Sequence, residues 1–247
     1  MNYTELKDEC VAWIRGWFEK NGPGACAVLG MSGGKDSTVA AALCAEALGK
    51  ERVVGVAMPA EGQSLNEADK ICEFLGIRYL CAPVSAAIAA FEDMGALVPG
   101  GLSHQSEQNI PPRVRMVTLY ALSQTLGGRV VNTCNLSEDW IGYATRWGDS
   151  VGDFCPIGKL TVQEIRGIGH AMGIPAEWVD KIPDDGLPHS CSDEAKFGFS
   201  YETLDRYIRE GVCEDEAVRE KIDRMHRSNL FKLSMPEAFE PGIEVKA

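Results

Sequence analysis

Gly30-Met31-Ser32-Gly33-Gly34-Lys35-Asp36-Ser37 follows the apolar run Ala25–Leu29 and precedes the alanine-rich segment Thr38-Val39-Ala40-Ala41-Ala42-Leu43. That order predicts a strand, a tight turn and a helix start. Glycines after a serine let the backbone approach a phosphate closely, and the unpaired amides of a helix start attract its charge. The stretch is not a Walker loop. Counting back from Lys35, the first glycine of that motif would fall on Leu29, and Lys35 is followed by Asp36 rather than Ser or Thr. An aspartate there presents a carboxylate to a metal that bridges phosphates. The same letters also spell G-x-S-x-G, the nucleophile elbow of α/β-hydrolases, with Ser32 as nucleophile. Ser32 comes too early for that fold, which places several strands before its elbow. Of His104, His170, His189 and His226, only His189 and His226 could serve as the base, and neither sits in a recognisable triad context. A glycine turn without chemistry is the third reading.

Outward from the loop, apolar runs at Val53–Met58, Arg78–Ala82 and Arg129–Cys134 read as further strands. Helical periodicity marks Asn66–Leu75, Ser85–Met94 and Gln108–Leu126, the last with two prolines near its start. Residues 95–108 have no periodicity and read as a mobile loop, long enough to suspect a function. Beyond Gly158 the chain reads as helical, at Thr161–Met172, Tyr201–Arg209 and Asp215–Ser228. Strands alternating with helices predict an α/β fold, a parallel sheet covered on both faces. Ligands of such sheets bind outside the carboxyl ends of the strands. Ser32 follows strand one, Gln63 follows strand two, and Asn135 to Glu138 follow strand four, so the candidate residues obey that rule. The expected organisation is one domain over 1–247, with a nucleotide-binding core at about 22–160 and a helical part at about 161–247.

The formal net charge of −12, without a lysine- or arginine-rich block, argues against a nucleic-acid partner and leaves room for a small anionic substrate. No apolar run approaches membrane-spanning length. Met1–Lys20 reads as an amphipathic helix rather than a signal peptide, with Leu6, Cys10, Ile14, Trp17 and Phe18 on one stripe. Nine cysteines occur without a C-x-x-C pair. Several lie in apolar segments, so neither a disulfide framework nor a zinc site is expected, and a cytoplasmic location is.

Ser32–Ser37 resembles the SGGxDS pyrophosphate loop of the N-type ATP pyrophosphatases, which split ATP into AMP and pyrophosphate. Four further segments follow in order. They are Asn109-x-x-x-Arg113-x-Arg115-Met116, Thr133-x-Asn135-x-Ser137-Glu138, Gly142-Tyr143-x-Thr145-Arg146-x-Gly148-Asp149, and Ser192-Asp193-Glu194 ahead of Gly198-Phe199-Ser200-Tyr201 with Asp205 beyond. In this order and spacing the chain is similar, from about residue 4 to 237, to the ammonia-dependent NAD synthetases. The resemblance implies a Rossmann-like fold of the adenine nucleotide α-hydrolase type. It also implies a reaction in which the nicotinate carboxylate of deamido-NAD attacks ATP and ammonia then displaces AMP from the adenylate.

The resemblance carries over residue by residue. Gly30, Met31, Ser32, Gly33, Gly34, Lys35, Asp36 and Ser37 are expected to hold the ATP phosphates, with Gln63 and Thr133 also contacting ATP. Asp36 and Glu138 match magnesium (Mg2+) ligands, and Arg113, Arg146 and Asp153 match residues that hold deamido-NAD, with Asn109 and Arg115 in the same patch. Asp149 matches a carboxylate beside the ammonia position. Departures are equally specific. The family's lysine after Leu-Thr is here Val162, so Lys159, or else Lys35, is expected to neutralise the departing pyrophosphate. Asp184 stands where the family has an ATP-contacting Thr or Ser, Ala57 stands where an arginine is common, and Phe231-Lys232-Leu233 keeps only Lys232 of a His-Lys-Arg signature. Such departures fit a diverged branch or a related carboxylate substrate. Another adenylating amidotransferase, a sulfur-transfer enzyme and a non-catalytic nucleotide-binding protein are the alternatives beside the serine hydrolase. A homodimer is implied, with the stripe on Leu6–Phe18 and the Gln108–Leu126 helix as candidate interfaces. Ammonia is expected free or from a separate glutaminase.

Overall fold

Four short strands form one parallel sheet in the order β3-β2-β1-β4, with β1 at Ala27–Gly30, β2 at Val53–Ala57, β3 at Arg78–Cys81 and β4 at Arg129–Val130. The computed structural model describes residues 1–61, 67–181 and 192–240. Val28 of β1 registers with Val54 of β2 on one side and Val130 of β4 on the other. The two central strands are buried on both faces, which is why they read as continuous apolar runs rather than alternating ones. From β1 the chain winds outward through β2 and β3, then returns to lay β4 on the opposite side. The crevice between β1 and β4 is therefore the topological switch point, where ligands of such sheets bind.

Helices α1 (Tyr3–Asn21), α2 (Lys35–Leu48) and α3 (Ala68–Leu75) cover one face. Helices α4 (Ser85–Glu92) and α5 (His104–Thr125) cover the other. The chain continues through α6 (Leu136–Ile141), α7 (Val162–Ala171), α8 (Ala176–Val179), α9 (Asp193–Phe197), α10 (Tyr201–Glu210) and α11 (Glu216–Asn229). The α1 stripe is core: Val11, Ile14 and Phe18 are buried, and Trp17 stacks on Phe154 at 4.6 Å. Trp13 of α1 and Val117 of α5 remain exposed.

Two expectations need correction. Strand four registers with β1 over Arg129–Val130 only, and its other edge is taken by the segment at Asp153–Phe154: the Asp153 carboxylate accepts from Val130 N at 2.7 Å, its amide donates to Val130 O at 2.8 Å, and Asn132 N donates to Phe154 O at 2.8 Å. The segment 95–108 is not one irregular loop. A 3-10 turn covers Asp93–Leu97, and α5 starts at His104 because the Ser103 hydroxyl caps it by accepting from Ser106 N at 3.2 Å.

Asp205, buried on α10, ties three helices together by accepting from the Ser137 hydroxyl on α6 and from Gln163 N in the first turn of α7. Removing an acceptor that serves two largely enclosed donors leaves them unpaired, so Asp205→Ala is expected to destabilise the fold by about 2 kcal/mol. A thermal melt that matches the unsubstituted protein would refute that.

Candidate active site

The loop after β1 is built by its own short side chains. Gly33 has φ +78, a left-handed conformation that only glycine adopts readily. The Ser32 hydroxyl accepts from Gly34 N at 3.2 Å and lies 3.2 Å from the Ser37 hydroxyl. Ser37 and Thr38 both donate to Gly34 O, at 3.1 and 2.8 Å. Gly34 opens α2 with no side-chain cap, so the first amides of a 14-residue helix are left to an anion. Asp36, in that first turn, sits across the switch-point crevice from the segment after β4.

Asn135 bridges the crevice. Its amide donates to Asp36 Oδ1 at 3.2 Å, and its carbonyl oxygen accepts from Glu138 N at 3.0 Å. Glu138 completes a capping box by accepting from Asn135 N at 3.4 Å, so it is at once a helix cap and a neighbour of Asp36. Lys35, only 3 % exposed, donates to Asp36 Oδ2 at 2.8 Å and lies 5.8 Å from the centre of the Tyr201 ring. Desolvation, reinforced by the Asp36 carboxylate, pushes Glu138 up to about 8. Burial alone would lower Lys35, but Asp36 and Glu138 together outweigh it and hold the ammonium charged. Among the described residues no group of three or more His, Cys, Asp or Glu is arranged to hold a metal. A dication here would have two protein carboxylates and would need its remaining oxygens from phosphate and water, the arrangement magnesium favours with nucleotides.

A second patch gathers where α5 meets the segment 143–150. Asn109 accepts from the Thr145 hydroxyl at 2.9 Å, and Arg113 donates to Arg146 O at 3.3 Å. The Arg146 guanidinium lies over the Trp147 and Phe231 rings at 5.0 and 5.3 Å. Trp147 has φ +63, an uncommon conformation for a bulky residue and one that marks a constrained turn. Asp149 accepts from Thr145 N at 2.7 Å, while its own carbonyl accepts from Asn132 and Cys134. Those bonds fix the Asp149 backbone beside Asn132 and Cys134, and burial pushes its carboxyl above the ordinary carboxylate range. Arg115 donates to Met58 O at 3.0 Å and adds positive charge near Asp149.

Other predicted residues have different surroundings. The Asp153 carboxylate caps the β4 edge, and Lys232 donates to Gly142 O at 2.9 Å, satisfying a carbonyl at the end of α6. Lys159 is exposed, with Asp139 as a carboxylate neighbour. Val162 is buried in an apolar cluster with Ile141, Phe197 and Leu204, which accounts for the absent lysine. Gln63 and Asp184 lie outside the described residues. Asn135 and Tyr201 stand inside motifs that give them no role of their own, and no neighbouring letters mark Arg166.

The family profile described as NAD synthase matches residues 6–236. The chain belongs to the NAD synthase family. Relatives include an NH(3)-dependent NAD(+) synthetase of Archaeoglobus fulgidus, 32% identical over 243 residues with 96% of each chain covered. One from Pyrococcus horikoshii is 36% identical, with 96% of this chain and 94% of that one covered. Among solved structures, NMN synthetase from Francisella tularensis superposes with TM-score 0.88 at 26% identity, covering 98% of this chain and all of that one (100%). The NH3-dependent NAD synthetase from Campylobacter jejuni superposes with TM-score 0.78 at 26% identity, covering 97% and 100%. The switch-point loop thus belongs to a family with the adenine nucleotide α-hydrolase-like fold, as the pyrophosphate-loop resemblance implied.

Proposed function

We propose that this chain is an ATP-dependent amide ligase that converts deamido-NAD and ammonia into NAD, releasing AMP and pyrophosphate. The observation that carries the reading is the meeting of Asp36 and Glu138, through Asn135, beside the uncapped amides of α2. Amide donors at Gly34–Ser37 and the buried Lys35 ammonium suit the triphosphate. Asp36 and Glu138 would hold magnesium, whose charge offsets that of the phosphates and of the leaving pyrophosphate. The exposed Arg113 and the aromatic-backed Arg146 suit the phosphates and the acid of the nicotinate nucleotide. Asp149, whose carboxyl pKa is raised by burial and whose side chain is held by Thr145 N, suits ammonium, holding it as a cation and accepting its proton as ammonia attacks the adenylate. We assign ATP contact to Gln63, Thr133 and Asp184, and substrate contact to Asn109, Arg115, Asp153 and Lys232, as part of the same proposal. Free ammonia, a cytoplasmic location and a homodimer through the exposed Val117 face of α5 complete it.

One observation favours a second substrate. The TM-score of 0.88 belongs to a protein named for the mononucleotide amide rather than the dinucleotide. Incubation with ATP, magnesium and ammonium, in parallel with deamido-NAD and nicotinate mononucleotide, separates the two. NAD and AMP forming together from deamido-NAD is the expected result. AMP formed only with the mononucleotide transfers the reading to that acid, and nucleotide binding without AMP overturns the ligase altogether.

A further inference from the structure

Four buried side-chain atoms among the described residues lack a hydrogen-bond partner: Trp140 Nε1, Arg146 Nε, Arg166 Nε and Tyr201 Oη. Trp140 stacks on His226 at 4.1 Å in the contact between α6 and α11, away from the phosphate loop's cations, and Arg146 lies in the patch already described. Tyr201 is 2% exposed and offers Lys35 its ring, while Arg166 on α7 lies close enough for its charge to oppose that of Lys35.

The position of Arg166 follows from how α7 is held. Its first residue, Val162, donates its amide to Ser137 of α6 at 3.1 Å, two residues beyond the Asn135 that bonds Asp36. Further along, Gly169 packs on α8 and α2, where a Cβ would lie 2.8 Å from Val179 Cγ2 and 3.1 Å from Val39 Cγ2. Residues 162, 166 and 169 share one helix face, so Arg166 lies between these two anchors, on the side of α7 that faces α6 and α2. Its charge works against the Lys35 ammonium, as expected of two cations facing one space. A guanidinium with a buried, unpartnered Nε beside a buried ammonium is unfavourable until an anion enters between them.

Lys35 shares its charge with Asp36, the slot where the family has a lysine holds the apolar Val162, and Lys159 is exposed beside Asp139. We infer that Arg166 binds the pyrophosphate half of ATP, the part that leaves when the adenylate forms, with its planar fork matching two phosphate oxygens. This rests on the ligase reading above.

The test is calorimetric binding of inorganic pyrophosphate and of AMP to Arg166→Met, Arg166→Lys, Lys159→Ala and the unsubstituted protein, with melting temperatures alongside and kinetics for ATP and deamido-NAD. Arg166→Met is expected to weaken pyrophosphate at least about tenfold, a loss of about 1.4 kcal/mol. AMP affinity, the KM for deamido-NAD and the melting temperature should stay unchanged, the KM for ATP should rise, and Arg166→Lys should recover part of the loss. Unchanged pyrophosphate binding in Arg166→Met overturns the assignment, and so does a parallel loss of AMP binding. A loss confined to Lys159→Ala gives the role to Lys159 instead. If the unsubstituted protein neither binds pyrophosphate nor forms AMP, the ligase reading falls and this inference with it.

Discussion

Asp36→Asn is expected to lower the rate of AMP formation by about three orders of magnitude, about 4 kcal/mol in barrier height. The change keeps the side chain's size and its capacity to accept from Asn135, so the fold should persist. What is lost is one of two charges facing the triphosphate, and with it the anion that Lys35 pairs with. Glu138→Gln supplies the stricter comparison. A glutamine at the third position of a capping box still accepts from the cap residue's amide, so α6 keeps its start while the charge disappears. Both variants should therefore melt normally and fail to adenylate, whereas Glu138→Ala should lose activity and some stability together. Near-normal AMP release from either conservative variant at saturating magnesium would remove that residue from the metal site.

Asp149→Asn should divide the two half-reactions. The Asp149 carboxylate lies in the second patch, positioned by Thr145 N and by the bonds from Asn132 and Cys134 to its own carbonyl. Its proposed work is confined to ammonia, so amide formation should fall by about 100-fold, within the usual range for a positioned proton acceptor. Adenylate formation, followed as isotope exchange between pyrophosphate and ATP, should change far less. Raising ammonium should not restore the rate if the carboxylate accepts the proton, and should restore it if it only gathers the cation. An equal fall in exchange and amide formation would assign Asp149 to nucleotide binding or to the fold.

Local features were legible in the chain because their causes are local. Gly33 needs a left-handed backbone, α2 needs small residues behind a turn, and β1 and β2 need unbroken apolar runs, and each leaves its mark in neighbouring letters. Strand four reads longer than it is because nothing in Arg129–Cys134 signals that its register with β1 ends at Val130. The dual character of Glu138 was only half visible. Its spacing from Asn135 spells a capping box, while its proximity to Asp36 depends on a contact spanning 99 residues of chain. Lys232 reads as a remnant of a basic signature, yet in the fold its ammonium serves the carbonyls of Gly142 and Ala144.

By itself, then, the sequence determined the parallel α/β sheet, the phosphate-binding character of the loop after β1 and the family, since these follow from short-range backbone requirements and from motif order. Tertiary structure alone decided which charges face one another. Asn135 holds Asp36 near Glu138 because β1 and β4 are neighbours in the sheet. Val162 is buried because α6, α7 and α10 close around it, and the Arg166 Nε has no hydrogen-bond partner among the described residues because α7 is pinned at Ser137 and packed on Val179 and Val39. Such juxtapositions arise from the packing of distant elements, which no neighbouring residue encodes.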